Sequence, residues 1–504
     1  MANVLFDGLF NRYSGQDSIF ITTIDGTVTT HDAFLAQAAR YANALKASGL
    51  EQGDRVAMQV EKSVESIAVY AACVQSGLVF LPLNTAYTPD ELSYFINDSG
   101  AGVFVCDGSK EAALTGIAQE AGALLMTLNA DGSGSLSDLA NTQSDQFATV
   151  DAKDEDLAAL LYTSGTTGRS KGAMLTQHNL LSNAKVLAEH WQFSEQDVLL
   201  HALPIFHTHG LFVAINVSLV SGASMIMMPV FQLDTIIENI PQATSLMGVP
   251  TFYTRLLSDK RFDKYLTQNM RLFISGSAPL LASTHIEFEE RTGHRILERY
   301  GMTETNMNTS NPYSGERRAG TVGFPLPGVE LKITDAKTGE LLPAGETGSI
   351  EVRGPNVFKG YWNMPEKTKE ELRDNGFFIT GDLGVIDDDG YLKIIGRDKD
   401  LIISGGFNIY PKEIETLLDK QDGVLESAVI GVPHADFGET PVAVLVRQAD
   451  EEPDLVAIEE NIHSALARFK HPRQLIVVDT LPRNTMGKVQ KVLLRKEYAE
   501  LFRD

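Results

Sequence analysis

The chain has 504 residues, 43% of them hydrophobic and 21% charged, with 42 lysines and arginines against 66 aspartates and glutamates. A formal net charge of −24 repels nucleic acid and anionic membrane surfaces, so neither is expected as a partner. The length suits two to four domains, and alternating strand and helix patterns without low-complexity tracts point to a globular α/β protein.

The opening, MANVLFDGLFNRYSG, has no basic segment ahead of a long apolar run, so no secretory or transit peptide is expected. SIFITT, Asp25-Gly26 and TVT read as a hairpin, and Thr30 to Lys46 carries helical spacing closed by Gly49. DRVAMQV is a strand, SVESIAVYAACVQSG a helix stopped at Gly77, and LVFLPLN, VFVC and ALLMTL continue the alternation of a parallel sheet. Cys73 and Cys106 are the only cysteines, each in an apolar stretch. No disulfide framework or zinc cluster is expected, and a reducing, cytoplasmic setting fits. The most apolar long window, Leu211 to Phe231, is interrupted by Asn216, Ser218 and Gly222, which predicts a buried helix and strand rather than a membrane span.

The apolar strand LAALLY, Leu157 to Tyr162, runs into Thr163-Ser164-Gly165-Thr166-Thr167-Gly168-Arg169-Ser170-Lys171-Gly172. The glycines let the backbone aim N–H groups at an anion, and the hydroxyls and Lys171 add donors, which is the composition of a phosphate cradle. The pattern is not GxxxxGK[ST], which disfavours a P-loop kinase or GTPase. VLLHALP, ASMIMMPVF, ATSLMGVP and MRLFISG are further buried strands. Past about Gly320, VELKITD, GSIEVRG, GYLKIIG and DLIISGG are short strands with Asp/Gly turns, suggesting a β-rich subdomain. A boundary at Arg397-Asp398-Lys399 gives a large domain of residues 1–397 and a small α+β unit of residues 398–504.

TSGTTGRSKG resembles the signature loop of the adenylate-forming superfamily of acyl-CoA synthetases, peptide-synthetase adenylation domains and luciferases. LPIFHTHG (203–210), ERYGMTET (298–305), TGDLG (380–384), GRDKDLIISGG (396–406) and RNTMGK (483–488) follow in the family's order, so the resemblance spans essentially the whole chain. It implies an α/β enzyme with a large AMP-binding domain and a small mobile C-terminal domain, using ATP, CoA and Mg²⁺. It places Thr163, Ser164, Gly165, Thr166, Thr167, Gly168 and Lys171 on the phosphates and Ser277 and Ala278 at the adenine. It also assigns Glu298, Tyr300, Gly301, Met302 and Thr303 to the nucleotide, Asp382 to the ribose with Arg397 beside it, and Thr167 and Glu304 to Mg²⁺. Lys488 becomes the catalytic lysine, a cation for the negative charge that builds up as a carboxylate attacks the α-phosphate. His207 becomes the gate to the thiol channel. Lys399 becomes the hinge about which the small domain swings to present Gly405 and Gly406 to CoA. An acyl group on Lys488 would erase its charge, which makes a protein lysine acetyltransferase and deacetylase candidate partners.

By the same resemblance Arg299, Thr208 and Met307 line the acyl pocket, and Arg255 lies one helical turn after VPT. An Arg inside such a pocket is costly unless it meets an anion, and its planar fork suits a carboxylate. The acid is therefore expected to carry a second carboxylate, malonate before methylmalonate. ERYGMTETNMNTSNPY and PRNTMGKVQK also resemble malonyl-CoA synthetases. Three alternatives stay open: Arg299 paired with an internal carboxylate, a CoA ligase for another short acid, and an adenylating unit that loads a carrier protein.

Overall fold

The computed structural model describes residues 3–163, 170–404, 407–434, 436–448, 451–484 and 487–502. The chain forms two compact units. The first comprises Met1–Glu330 and Val352–Phe378, the second Leu331–Glu351 and Ile379–Asp504.

The first unit holds two large sheets. In the seven-stranded sheet the order is Gly360–Tyr361, Lys171–Thr176, Leu157–Thr163, Val79–Pro82, Arg55–Gln59, Val103–Cys106 and Leu124–Thr127. Its last five strands run parallel, as expected for strands that read as unbroken apolar runs. The helix Val64–Ser76 begins with a reciprocal Ser63/Ser66 capping box and ends at Gly77, whose φ of 67° is the left-handed conformation glycine adopts without penalty. Every residue from Ser66 to Ser76 is buried. Pro89–Ser99 carries a second box, Thr88 with Glu91, and a proline in its first turn.

The nine-stranded sheet runs Phe324–Pro325, Asn306–Ser310, Leu297–Met302, Leu272–Ser275, Ser245–Gly248, Val198–His201, Ser224–Met227, Ile19–Thr23 and Val28–Thr30. Parallel pairing joins Leu297–Met302 through to Ile19–Thr23. The window from Leu211 resolves into the buried helix Asn216–Ser221 and the strand Ser224–Met227, as its interruptions predict. No helix among the described residues is long and apolar enough to cross a membrane. One feature departs from simple parallel alternation. Lys171–Thr176 returns antiparallel to Leu157–Thr163, pairing Thr163 with Lys171 on either side of the signature segment.

The second unit contains most of a four-stranded sheet, Glu330–Thr334, Gly348–Arg353, Phe378–Ile386 and Leu392–Arg397, and a five-stranded one. In the latter, Val424–His434 and Gly438–Arg447 form a long antiparallel pair, with Gln474–Val478 added in parallel. The helices Pro411–Leu418 and Leu455–Ala465 pack on it through Ile414, Leu418, Ile458 and Ile462.

Candidate active site

Between the strands Leu297–Met302 and Asn306–Ser310 the chain makes a three-residue turn, Thr303-Glu304-Thr305. Gly301 is required there, because a Cβ would stand 1.8 Å from the carbonyl oxygen of Asn306. The turn brings Glu304 to 5% exposure, where one carboxylate oxygen accepts from the Tyr361 hydroxyl at 3.0 Å. The same hydroxyl lies 2.6 Å from Glu371 Oε2. Burial and the two carboxylates push the Tyr361 hydroxyl's pKa far up. Lys171 Nζ reaches both Glu371 oxygens and the Tyr361 hydroxyl at 3.1 Å. Glu371 and Tyr361 thus gather Lys171 and Glu304 in one polar cluster, although they lie in no motif read from the sequence.

Arg299 sits on the strand Leu297–Met302 itself, at 4% exposure. Its Nε and Nη2 are buried without a hydrogen-bond partner, and no carboxylate among the described residues pairs with it. Burial lowers its pKa to about 9, against a small opposing contribution from Tyr253. The guanidinium lies flat against Gly276, where a Cβ would stand 2.3 Å from its carbon. Further buried polar atoms without partners are His209 Nε2, on a ring that feels the Arg299 charge, Ser275 Oγ, next to Gly276, and Asn306 Nδ2. His209 Nδ1 is 3.2 Å from Ser277 Oγ, and Ser277 holds a φ of 70°, a strained conformation for a residue with a side chain. Burial, then Arg299, keeps His209 neutral.

Thr208 is 1% exposed and donates to Asn306 Oδ1 at 2.5 Å. Met307, also 1% exposed, faces Gly301 across the strand pair. His207 accepts from the His209 N–H at 3.3 Å. Just beyond, Val213 donates back five residues to Thr208 at 2.9 Å, opening His209–Ile215 into a wide π-helical turn of the kind common at functional sites. Among the described residues of this unit, then, Thr208, Met307, Tyr300, Gly301 and Met302 share the strand-end region with Arg299.

Two expected residues are differently engaged. The Glu298 carboxylate meets His285 Nδ1 at 3.2 Å and accepts from the Gly320 N–H at 3.2 Å, and burial raises its pKa. Arg255 is not brought to Arg299. It is exposed on the helix Pro250–Leu257, 5.7 Å from the Phe231 ring. Residues two apart on a helix point roughly 200° apart, so the buried Tyr253, not Arg255, faces Arg299. Ala278 lies half-buried beside Ser277, and Thr303 half-buried in the Glu304 turn. Ser164, Gly165, Thr166, Thr167, Gly168, Gly405 and Gly406 lie outside the described residues.

In the second unit Asp382 and Arg397 are cross-strand partners, with Arg397 Nε 2.7 Å from Asp382 Oδ1. Arg397 also donates to the Thr380 carbonyl at 3.2 Å, and Asp382 is 4% exposed. Lys399 follows in the short turn Asp398–Asp400. Desolvation, with Arg397 and Lys488 among the nearby charges, lowers its ammonium's pKa to about 8. Lys488 is exposed in a turn closed by its own N–H donating to Asn484 Oδ1 at 2.9 Å and by Asn484 N donating to its carbonyl at 3.0 Å.

Residues 11–362 match the family model of the AMP-binding enzyme, and residues 413–488 that of the AMP-binding enzyme C-terminal domain. A crystal structure of ATP-bound MatB from Rhodopseudomonas palustris is 57% identical, superposes with a TM-score of 0.98 and covers 100% of both chains. A malonate–CoA ligase of Arabidopsis thaliana is 36% identical over 89% of this chain and 78% of its own length. The mitochondrial malonate–CoA ligase ACSF3 of Mus musculus is 34% identical over 88% and 82%.

Proposed function

We propose that this chain, which belongs to the AMP-binding enzyme family, is a malonate–CoA ligase. It joins malonate to ATP as malonyl-adenylate with release of diphosphate, then passes the malonyl group to the thiol of CoA with release of AMP. One observation carries the choice of acid: Arg299 is buried with two guanidinium nitrogens unsatisfied and no carboxylate partner among the described residues. An unpaired buried cation costs several kcal/mol, and a substrate carboxylate supplies the missing charge and acceptors. Malonate has two equivalent carboxylates. Holding one on Arg299 aims the other at the α-phosphate, which is orientation rather than extra affinity. The closely packed Thr208 and Met307 favour an acid no bulkier at its central carbon than methylmalonate. Arg255 would assist once its side chain leaves the Phe231 ring.

Apart from Glu298, whose carboxylate is taken up by His285 and the Gly320 N–H, the nucleotide residues keep the roles given above. Glu304 suits Mg²⁺, which takes one or two protein carboxylates and completes its shell with phosphates and water. The Tyr361 hydroxyl orients that carboxylate. The ion's contribution is to neutralise charge on the phosphates. Thr167 is the second proposed ligand. Asp382 accepts the ribose hydroxyls, with Arg397 fixing its orientation, and Lys488 places a positive charge where the attacking and leaving oxygens share negative charge. We place the hinge at Lys399 and the mobile domain at residues 398–504.

A carboxylate panel tests the reading, with ATP, Mg²⁺ and CoA present and both AMP and thioester measured. Malonate is expected to lead, methylmalonate to follow, and acetate, propionate and succinate to fall at least about tenfold behind in kcat/KM. A monocarboxylate turned over as well as malonate would overturn it.

A further inference from the structure

The acid side of the site is a loop, residues 203–210, that carries His207, Thr208 and His209. It folds back on itself so tightly that a Cβ on Gly210 would stand 2.0 Å from the Pro204 carbonyl oxygen. What pins it lies outside every motif. Lys62, between the strand Arg55–Gln59 and the helix Val64–Ser76 of the other sheet, is 6% exposed. Its ammonium reaches the carbonyl of Leu203 at 2.9 Å, the carbonyl of His201 at 3.1 Å and His201 Nδ1 at 3.2 Å. No carboxylate lies among these partners. Burial pushes the Lys62 pKa well below the ordinary lysine value, and the nitrogen is held by two carbonyls and a ring nitrogen, all of which can accept from it.

That arrangement fixes the tautomer of His201. Nδ1 accepts from Lys62, so Nε2 carries the proton and donates to the Gly210 carbonyl at 2.8 Å. His201 is 2% exposed, and burial, then Lys62, lowers its pKa to about 3, consistent with a neutral ring locked in one form. The chain Lys62–His201–Gly210, together with the Lys62 bond to Leu203, ties down both ends of the loop.

We propose that Lys62 is a positioning residue for the acid substrate, acting through His201 to hold the 203–210 loop so that Thr208 and its neighbours meet the acid in one geometry. Lys62 touches no reacting atom. Its removal leaves the Leu203 carbonyl and His201 Nδ1 buried without donors, and the loop can relax only by shifting the pocket wall. The proposal rests on the assignment of Thr208 to the acid pocket.

The test is acid-dependent ATP–diphosphate exchange on the full-length enzyme for Lys62→Met, His201→Phe and the double variant, with malonate and propionate. Either single variant should raise KM for malonate at least about tenfold and alter the malonate-to-propionate ratio, while KM for ATP moves less than about threefold. A purely structural role would lower kcat by the folded fraction and leave both KM and the ratio alone. The double variant should be no worse than the poorer single, because both cut one chain. If Lys62→Met does not fold, His201→Phe alone decides, since it removes both ring bonds and keeps the ring's bulk. An unchanged acid KM and acid ratio in a folded variant overturns the proposal, and so does simple additivity in the double. Wild-type exchange separates the two readings. If the wild type prefers another acid, the malonate assignment falls, and the same variant-to-wild-type ratio with that acid still judges Lys62.

Discussion

Arg299 in the first unit and Arg397 in the second are the same side chain under opposite conditions. Arg397 brings its own counter-charge, with Asp382 2.7 Å away on the paired strand. Arg299 is more deeply buried and brings none. A pair that neutralises itself is scaffold, since it keeps its shape whatever is bound. A buried cation without a partner is a cost held in the folded chain, and only an anion in the right place relieves it. If Asp382 holds the ribose and Arg299 the acid, as proposed, the contrast separates what organises the nucleotide side from what selects the acid.

The sharpest way to break the contrast uses a third cation. Lys488 is exposed and carries no burial cost, so its worth should appear only in chemistry. Lys488→Ala should lose roughly a hundred- to a thousand-fold in adenylation rate with an unchanged melting temperature, and should still convert supplied malonyl-adenylate to the thioester. Adenylation at wild-type rate would remove it from the mechanism.

Arg299→Met comes next. Truncating one partner of a buried charge pair costs roughly 2–5 kcal/mol, so malonate kcat/KM should fall about 30-fold or more, and propionate far less. The same substitution removes an unpaired buried charge, so the substrate-free protein should melt at least about 2 °C higher. Arg397→Met should do the reverse for stability, because it strands Asp382. Calorimetry of both variants with and without malonate tests the pair. Equal losses for malonate and propionate would make Arg299 structural.

The smallest effect concerns pH. His31, stacked between Tyr13 and Phe20 at 4.1 and 4.7 Å, has its pKa lowered by burial to about 4. The unfolded chain therefore binds more protons between about pH 6.5 and 4. Stability from the neutral ring is complete above that window and is lost as pH falls through it. His31→Phe should flatten that part of the melting-temperature profile, and an unchanged profile would assign the acid slope elsewhere.

Local pattern revealed much of this molecule, and distance in sequence hid the rest. LAALLY, ASMIMMPVF and MRLFISG read correctly as buried strands because each is an apolar run bounded by turns. Arg299 stood out because its residue type clashes with an acyl pocket. The strand Lys171–Thr176 was not legible, since KGAMLT adjoins the glycine-rich loop and is too short and mixed to stand out as an apolar run. Lys171 finds Tyr361 and Glu371 190 and 200 residues away, and Lys62 finds His201 139 residues away. No local spacing encodes such partners. Arg255 lies apart from Arg299 here, because one helical turn beyond a motif fixes a helix but not the direction its side chain takes.

The division of the chain has a mechanical side. Between the two units the backbone crosses at Glu330/Leu331, at Glu351/Val352 and at Phe378/Ile379. A rotation of the whole second unit would have to twist all three covalent links at once. A rotation of the part beyond Lys399 twists one, in the turn Asp398–Asp400 that separates the four-stranded sheet from the five-stranded one. The described segment that follows Lys399 is thus joined to the preceding strands by one backbone link, whereas the strands from Glu330 to Arg397 are stitched into the chain at both ends.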